Sequence, residues 1–90
     1  MVETHENRLK RLAMRSMRRG TKEMDLILIR YSDQKLAAMS AEDLDLYEAF
    51  LNENDQDLYQ WVSGQVAAKP EFSDLVADIV AVLDENKPQI

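Results

Sequence analysis

The 90-residue chain has no cysteine, two glycines, two prolines and one histidine. Without cysteine there are no disulfides, thiolate metal sites or redox dithiols. A small cysteine-free domain fits a reducing compartment. Gly20 and Gly64 stand alone. A dinucleotide fingerprint or a phosphate loop needs clustered glycines, so both are excluded. His5 has no second histidine or cysteine with which to hold a metal, and no nucleophile beside it in sequence. We read it as a solvated residue at a helix start. No apolar run approaches about 18 residues, so no segment is expected to span a membrane. The N-terminus lacks the apolar stretch of a signal peptide, and Glu3 and Glu6 disfavour a transit peptide. The expectation is a mature cytosolic protein.

What is present is charge, unevenly spread. Residues 1–22 carry seven Lys/Arg against Glu3 and Glu6, a net +5, which leaves −11 for the rest of a chain whose total is −6. A basic end on an acidic body orients partners without specifying a fold. The length gives one small domain, residues 1–90, with an ordered core of about 5–85 and frayed ends. A chain of this size buries about 60–65% of its unfolded surface, so the core is thin and a deep cofactor cavity has no room.

Hydrophobic periodicity predicts an all-α protein, a small bundle of about five helices. The first runs from His5 to Arg18 after Thr4 as N-cap, with Leu9, Leu12, Ala13, Ser16 and Met17 on one face and Arg8, Arg11, Arg15 and Arg18 on another. Gly20 sits where a left-handed residue would end that helix. The second starts near Thr21 or Lys22 and reaches about Ala38, burying Met24, Ile27, Leu28 and Tyr31. Leu26 to Ile29 could form a buried strand, but no second strand exists to pair with it. Apolar residues on both sides make this the central helix. Ser40 with Asp43 opens a third helix, Ala41 to Leu51, as a variant capping box. Asp55 can cap a short fourth helix holding Leu58, Trp61 and Val62. Pro70 suits the first turn of the last, whose stripe is Phe72, Leu75, Val76, Ile79, Val80 and Leu83.

Three features could carry function. Glu42, Asp43, Asp45 and Glu48 could pair for acid–base chemistry, but their places on an amphipathic helix make them a solvated face, mostly in the first turn where acids suit the dipole. The arginine stripe is either a soluble face or a docking surface for an anionic patch. Six arginines in the first thirty residues favour docking, and the acidic body argues against nucleic acid. The segment Arg18-Arg19-Gly20-Thr21-Lys22-Glu23-Met24-Asp25 is the most informative. Helix punctuation explains Gly20, Thr21 and Glu23, but not an arginine pair and Lys22 at a helix start, where cations are disfavoured. On residue physics alone, punctuation and a partner site both stand. Tyr59 and Trp61 are read as completing the core, with interface anchoring as the alternative.

The order of these motifs resembles a known family. An arginine-rich helix leads to Arg19-Gly20-x-x-Glu23 and Asp25. Leu46-Tyr47-Glu48-x-Phe50-Leu51 follows, then Asn54-Asp55-x-Asp57-Leu58-Tyr59-x-Trp61 and a final amphipathic helix. Over about residues 8–83 this is similar to the succinate dehydrogenase assembly factors, the SdhE-type flavinylation factors of bacteria and mitochondria. The resemblance implies a helical bundle that binds the flavoprotein subunit of succinate dehydrogenase, or of fumarate reductase, and promotes covalent FAD attachment to it. It places the contact at Arg19, Gly20 and Glu23. With their neighbours Arg15, Arg18 and Asp25, these are the expected partner-binding residues. Family members often have Met or Leu after the glycine, where this chain has Thr21. The further expectations are no catalysis by the chain itself, no cofactor of its own (the FAD being the client's), no membrane partner and a monomer when free. Its place would be the bacterial cytoplasm, or the mitochondrial matrix in a eukaryote. A nucleic-acid-binding helical module using the arginine stripe is the alternative.

Overall fold

The computed structural model describes residues 3–17 and 20–85. Five helices follow one another: α1 (His5–Met17), α2 (Lys22–Lys35), α3 (Ala41–Leu51), α4 (Asp55–Val62) and α5 (Ser73–Glu85). Short 3₁₀ turns, Leu36–Ala38 and Pro70–Phe72, lead out of α2 and into α5. No strand occurs among the described residues. The expected end of the first helix at Arg18, and the expected fraying after Asn86, lie outside them.

Helix starts follow the capping chemistry of the sequence. Thr4 Oγ1 accepts the Asn7 N–H at 3.1 Å. Thr21 Oγ1 accepts that of Met24 at 3.3 Å, and Ser40 Oγ that of Asp43 at 3.1 Å. Each removes one orphan donor from a first turn. The fourth start departs from expectation. Asn54, not Asp55, is the N-cap of α4, its Oδ1 accepting the Gln56 N–H at 2.8 Å. An amide oxygen one residue earlier satisfies the turn and leaves the Asp55 carboxylate for another donor.

The glycines also exchange roles. Gly20 is not left-handed; among the described residues only Gly64 has a positive φ, 83°. It ends α4. The Gln65 N–H reaches the Gln60 carbonyl at 2.9 Å and the Gly64 N–H that of Trp61 at 3.3 Å. This is the paired bonding of a Schellman motif, for which glycine is favoured because it lacks a Cβ.

α2 is the central helix, packing against α1, α4 and α5. Met24, Leu28 and Tyr31 are buried on it with Ser32, and Leu26 to Ile29 lies inside the helix. Ile27 packs against the core, whereas Leu26 is 59% exposed. The core is completed by Leu12 of α1, Leu44, Tyr47, Phe50 and Leu51 of α3, Leu58, Trp61 and Val62 of α4, and Phe72, Leu75, Val76, Ile79 and Val82 at the C-terminal end. Val80 and Leu83 lie at its margin, and Val82 takes the buried place. Met17, expected on the inner face of α1, is 54% exposed. Ser16 is buried instead, its hydroxyl bonding the Leu12 carbonyl at 2.8 Å and lying 2.6 Å from the Tyr47 hydroxyl.

Gly64→Ala is expected to cost roughly 1–2 kcal/mol, the penalty of a Cβ in the left-handed region. An added Cβ there meets no atom within 4 Å, so the cost is conformational. Urea unfolding should show a lower midpoint at unchanged slope; a wild-type midpoint would refute the assignment.

Candidate functional site

The junction of α1 and α2 is pinned from across the chain. The Gly20 N–H donates to Oδ2 of Asp55, the first residue of α4. A Cβ built on Gly20 would lie 2.7 Å from that oxygen, inside van der Waals contact. Glycine thus serves the close approach of this carboxylate rather than backbone conformation; a Cβ would make the Asp55 side chain swing aside. Beside this contact is an open cleft of about 440 Å³ lined by Thr21, Glu23, Asp55, Gln56 and Tyr59. Glu23 is exposed in the first turn of α2. Tyr59 is 40% exposed, while Trp61, two residues on, is buried. The cleft offers carboxylates, an amide, a hydroxyl and half an aromatic ring. No group of three or more His, Cys, Asp or Glu that could hold a metal occurs among the described residues.

The arginine stripe is engaged inside the molecule. Arg11 grips Glu3 through Nε and Nη2 at 2.8 and 2.9 Å. It also grips Glu48 of α3 through Nη1 and Nη2, both at 3.1 Å. Arg8 bonds Asp45, and Glu48 at 3.2 Å. Arg15 donates to Asn52 at 2.7 Å. The expected solvated acidic face is thus half of an interhelical ion-pair network. A guanidinium fork can serve two carboxylates at once, which a helix-by-helix reading does not anticipate. Hydrogen bonds to Glu3 and then Glu48 hold the Arg11 guanidinium firmly protonated. The Arg11 hydrogen bond, ahead of the charge of Arg11 and the bond from Arg8, holds the Glu48 carboxyl below its ordinary value despite some desolvation.

Of the expected partner-binding residues, Gly20 and Glu23 lie at the α1–α2 junction, Glu23 lining the cleft. Asp25 is half-buried, two residues beyond Glu23 and so on another side of α2. Arg15 is half-buried on α1 with Asn52 as partner. Arg18 and Arg19 lie outside the described residues. Sequence reasoning missed Asp55, Gln56 and Tyr59 as neighbours of the motif. The Asn54-Asp55 pair was the available signal, since a helix needs only one of two adjacent caps.

A protein family described as the flavinator of succinate dehydrogenase matches residues 10–84. The chain belongs to this family. Its curated relatives include the mitochondrial succinate dehydrogenase assembly factor 2 of Candida glabrata, 38% identical over 68 residues that cover 76% of this chain and 44% of the relative. The protein of the same name from Meyerozyma guilliermondii is 37% identical over 68 residues, 76% of this chain and 50% of the relative. That of Aspergillus terreus is 45% identical over 53 residues, 59% and 18%. The chain thus spans half or less of the length of these relatives. The family match covers α2 to α4 entire, and with them both sides of the Gly20–Asp55 contact. The nucleic-acid alternative is not favoured, since Arg8, Arg11 and Arg15 already have protein partners.

The network predicts an acid-sensitive α1–α3 contact. A carboxylate with a depressed folded-state pKa contributes stability above its unfolded value of about 4.3 and loses it as pH falls through the folded value. Glu48→Gln should therefore lower stability by up to about 1 kcal/mol at neutral pH. The gap from wild type should close below about pH 4. Urea unfolding across that range checks this; a gap independent of pH would show that the Glu48 charge contributes nothing.

Proposed function

We propose that the chain is an assembly factor that binds the flavoprotein subunit of succinate dehydrogenase, or of fumarate reductase, and promotes its covalent FAD attachment. The observation that carries the reading is the family match over residues 10–84, together with Gly20 and Glu23 at an exposed helix junction. The chain acts without chemistry of its own. It holds the client so that the receiving side chain and the flavin meet, and orientation of this kind can contribute several kcal/mol. The FAD is the client's, because the cleft at the junction is shallow and lacks a phosphate cradle. Arg19, Gly20 and Glu23 form the contact, with Arg15, Arg18 and Asp25 flanking it. The glycine admits close backbone approach, and the two charged residues set register through charge-assisted bonds. The factor works as a monomer in the client's compartment: the bacterial cytoplasm, or the mitochondrial matrix, in keeping with relatives named as mitochondrial. Among the described residues no helix is long and apolar enough to cross a membrane.

Two outcomes are expected. The purified chain should pass through gel filtration colourless; stoichiometric flavin retained on it would count decisively against a client-held cofactor. Arg19→Ala and Glu23→Ala should each change stability by less than about 1 kcal/mol and abolish client flavinylation. Gly20→Arg should abolish it most completely while remaining helical. Its cost comes from displacing Asp55, since Gly20 has no left-handed strain to relieve. Circular dichroism beside in-gel flavin fluorescence of the client reads both properties. Normal flavinylation by all three variants would end the proposal.

A further inference from the structure

Gly20 lies two residues ahead of Lys22, the first residue of α2, and its N–H donates outside that helix. Its acceptor comes from 35 residues further along the chain, at the start of α4. Three observations show that this contact is not incidental to capping α4. Asn54 already performs the capping, so Asp55 is not required for that turn. Position 20 lacks the β-carbon that would collide with Asp55 Oδ2. The bond from the Met24 N–H to Thr21 Oγ1, at the start of α2, is long at 3.3 Å. Asp55 also lines the same cleft as Glu23 and Tyr59.

We propose that Asp55 is a positioning residue of the client-binding site: its carboxylate fixes Gly20 and thereby the presentation of Glu23 at the start of α2. The inference rests on the assembly-factor reading. It makes the Gly20–Asp55 contact a pre-organising device. Without it the turn samples several geometries, and apparent affinity for the client falls by the fraction of molecules in the competent one. The rate at saturating factor is unaffected, because Asp55 itself touches neither the flavin nor the side chain that receives it.

The test uses the full-length chain, ¹⁵N-labelled, with the apo flavoprotein subunit of succinate dehydrogenase and free FAD. The chain has only two glycine amides, so that of Gly20 is readily assigned. Asp55→Ala should speed Gly20 amide exchange about five- to tenfold, the worth of one such hydrogen bond. It should raise the factor concentration for half-maximal flavinylation by about the same ratio, with the saturating rate at its wild-type value and the melting temperature lower by a few degrees. Asp55→Asn keeps an acceptor oxygen and should recover part of both losses; should Asp55→Ala not fold, that variant carries the comparison against wild type. Asn54→Ala removes the α4 cap and should lower the melting temperature, leaving Gly20 exchange and half-saturation unchanged. Wild-type exchange or wild-type half-saturation in Asp55→Ala overturns the proposal. So does an Asn54→Ala variant with the same half-saturation defect, which would assign the effect to helix stability. A wild-type chain that flavinylates no client overturns the assembly reading and this role with it. A working wild type beside an equally working Asp55→Ala overturns this role alone.

Discussion

The structure hangs on the ring of Phe50. It lies against Tyr47 at 6.4 Å, Trp61 at 6.3 Å and Phe72 edge-on at 5.5 Å between centroids. Tyr47 passes the contact to Tyr31 at 5.8 Å, and Trp61 and Phe72 close the circuit at 6.0 Å. These five rings join α2, α3, α4 and the turn into α5. In so short a chain, aromatic area supplies the cohesion that length would supply elsewhere. The cluster also carries hydroxyls, and each is satisfied: Tyr47 lies against Ser16, and Tyr31 donates to Asp78 at 2.8 Å. Burial, reinforced by the Asp78 carboxylate, pushes the Tyr31 phenol well above its usual value. The sixth aromatic residue, Tyr59, is outside the cluster and half-exposed at the candidate site.

The site depends on that cluster at one remove. An eight-residue helix has little stability of its own in water. α4 is held because Leu58, Trp61 and Val62 are buried, and because Asn54 and Gly64 finish its two ends. The buried side chains of α4 set the place from which Asp55 meets Gly20. The ion pairs of Arg8 and Arg11 act similarly for α1, which buries Leu12 and Ser16 and packs Leu9 and Ala13 against the core margin. Exposed pairs contribute little individually, but a guanidinium shared between Glu3 and Glu48 fixes how α1 lies on α3.

The helices were legible because α1 to α4 each begin with a side-chain cap and the chain carries stripes of period 3.6. Thr4, Thr21 and Ser40 needed no tertiary information, and Ala41–Leu51 follows from local rules alone. What was not legible was set by contacts between distant segments. Gly20 reads as a helix terminator until Asp55 is seen against it, and Gly64 reads as loop until its left-handed φ is known. Arg11 and Glu48 look like two solvated faces because sequence shows each helix without its neighbour. On α5 the stripe runs Leu75, Ile79, Val82 at spacings of four and three, so Val82 is buried and Val80 lies at the margin. At the site, the motif residues Gly20 and Glu23 were legible, while their neighbours on α4 were hidden by 35 residues of intervening chain.

The closeness of position 20 to Asp55 also restricts how this sequence can drift. While the carboxylate holds its place, any β-carbon at position 20 falls within 2.7 Å of it. While position 20 has none, the hydrogen bond favours an acid at position 55, as does its place in the first turn of α4. The two sites are therefore coupled, and their substitutions are not additive. The two orders of change differ as well: losing aspartate first leaves position 20 without its acceptor, whereas losing glycine first makes the carboxylate swing aside from a β-carbon.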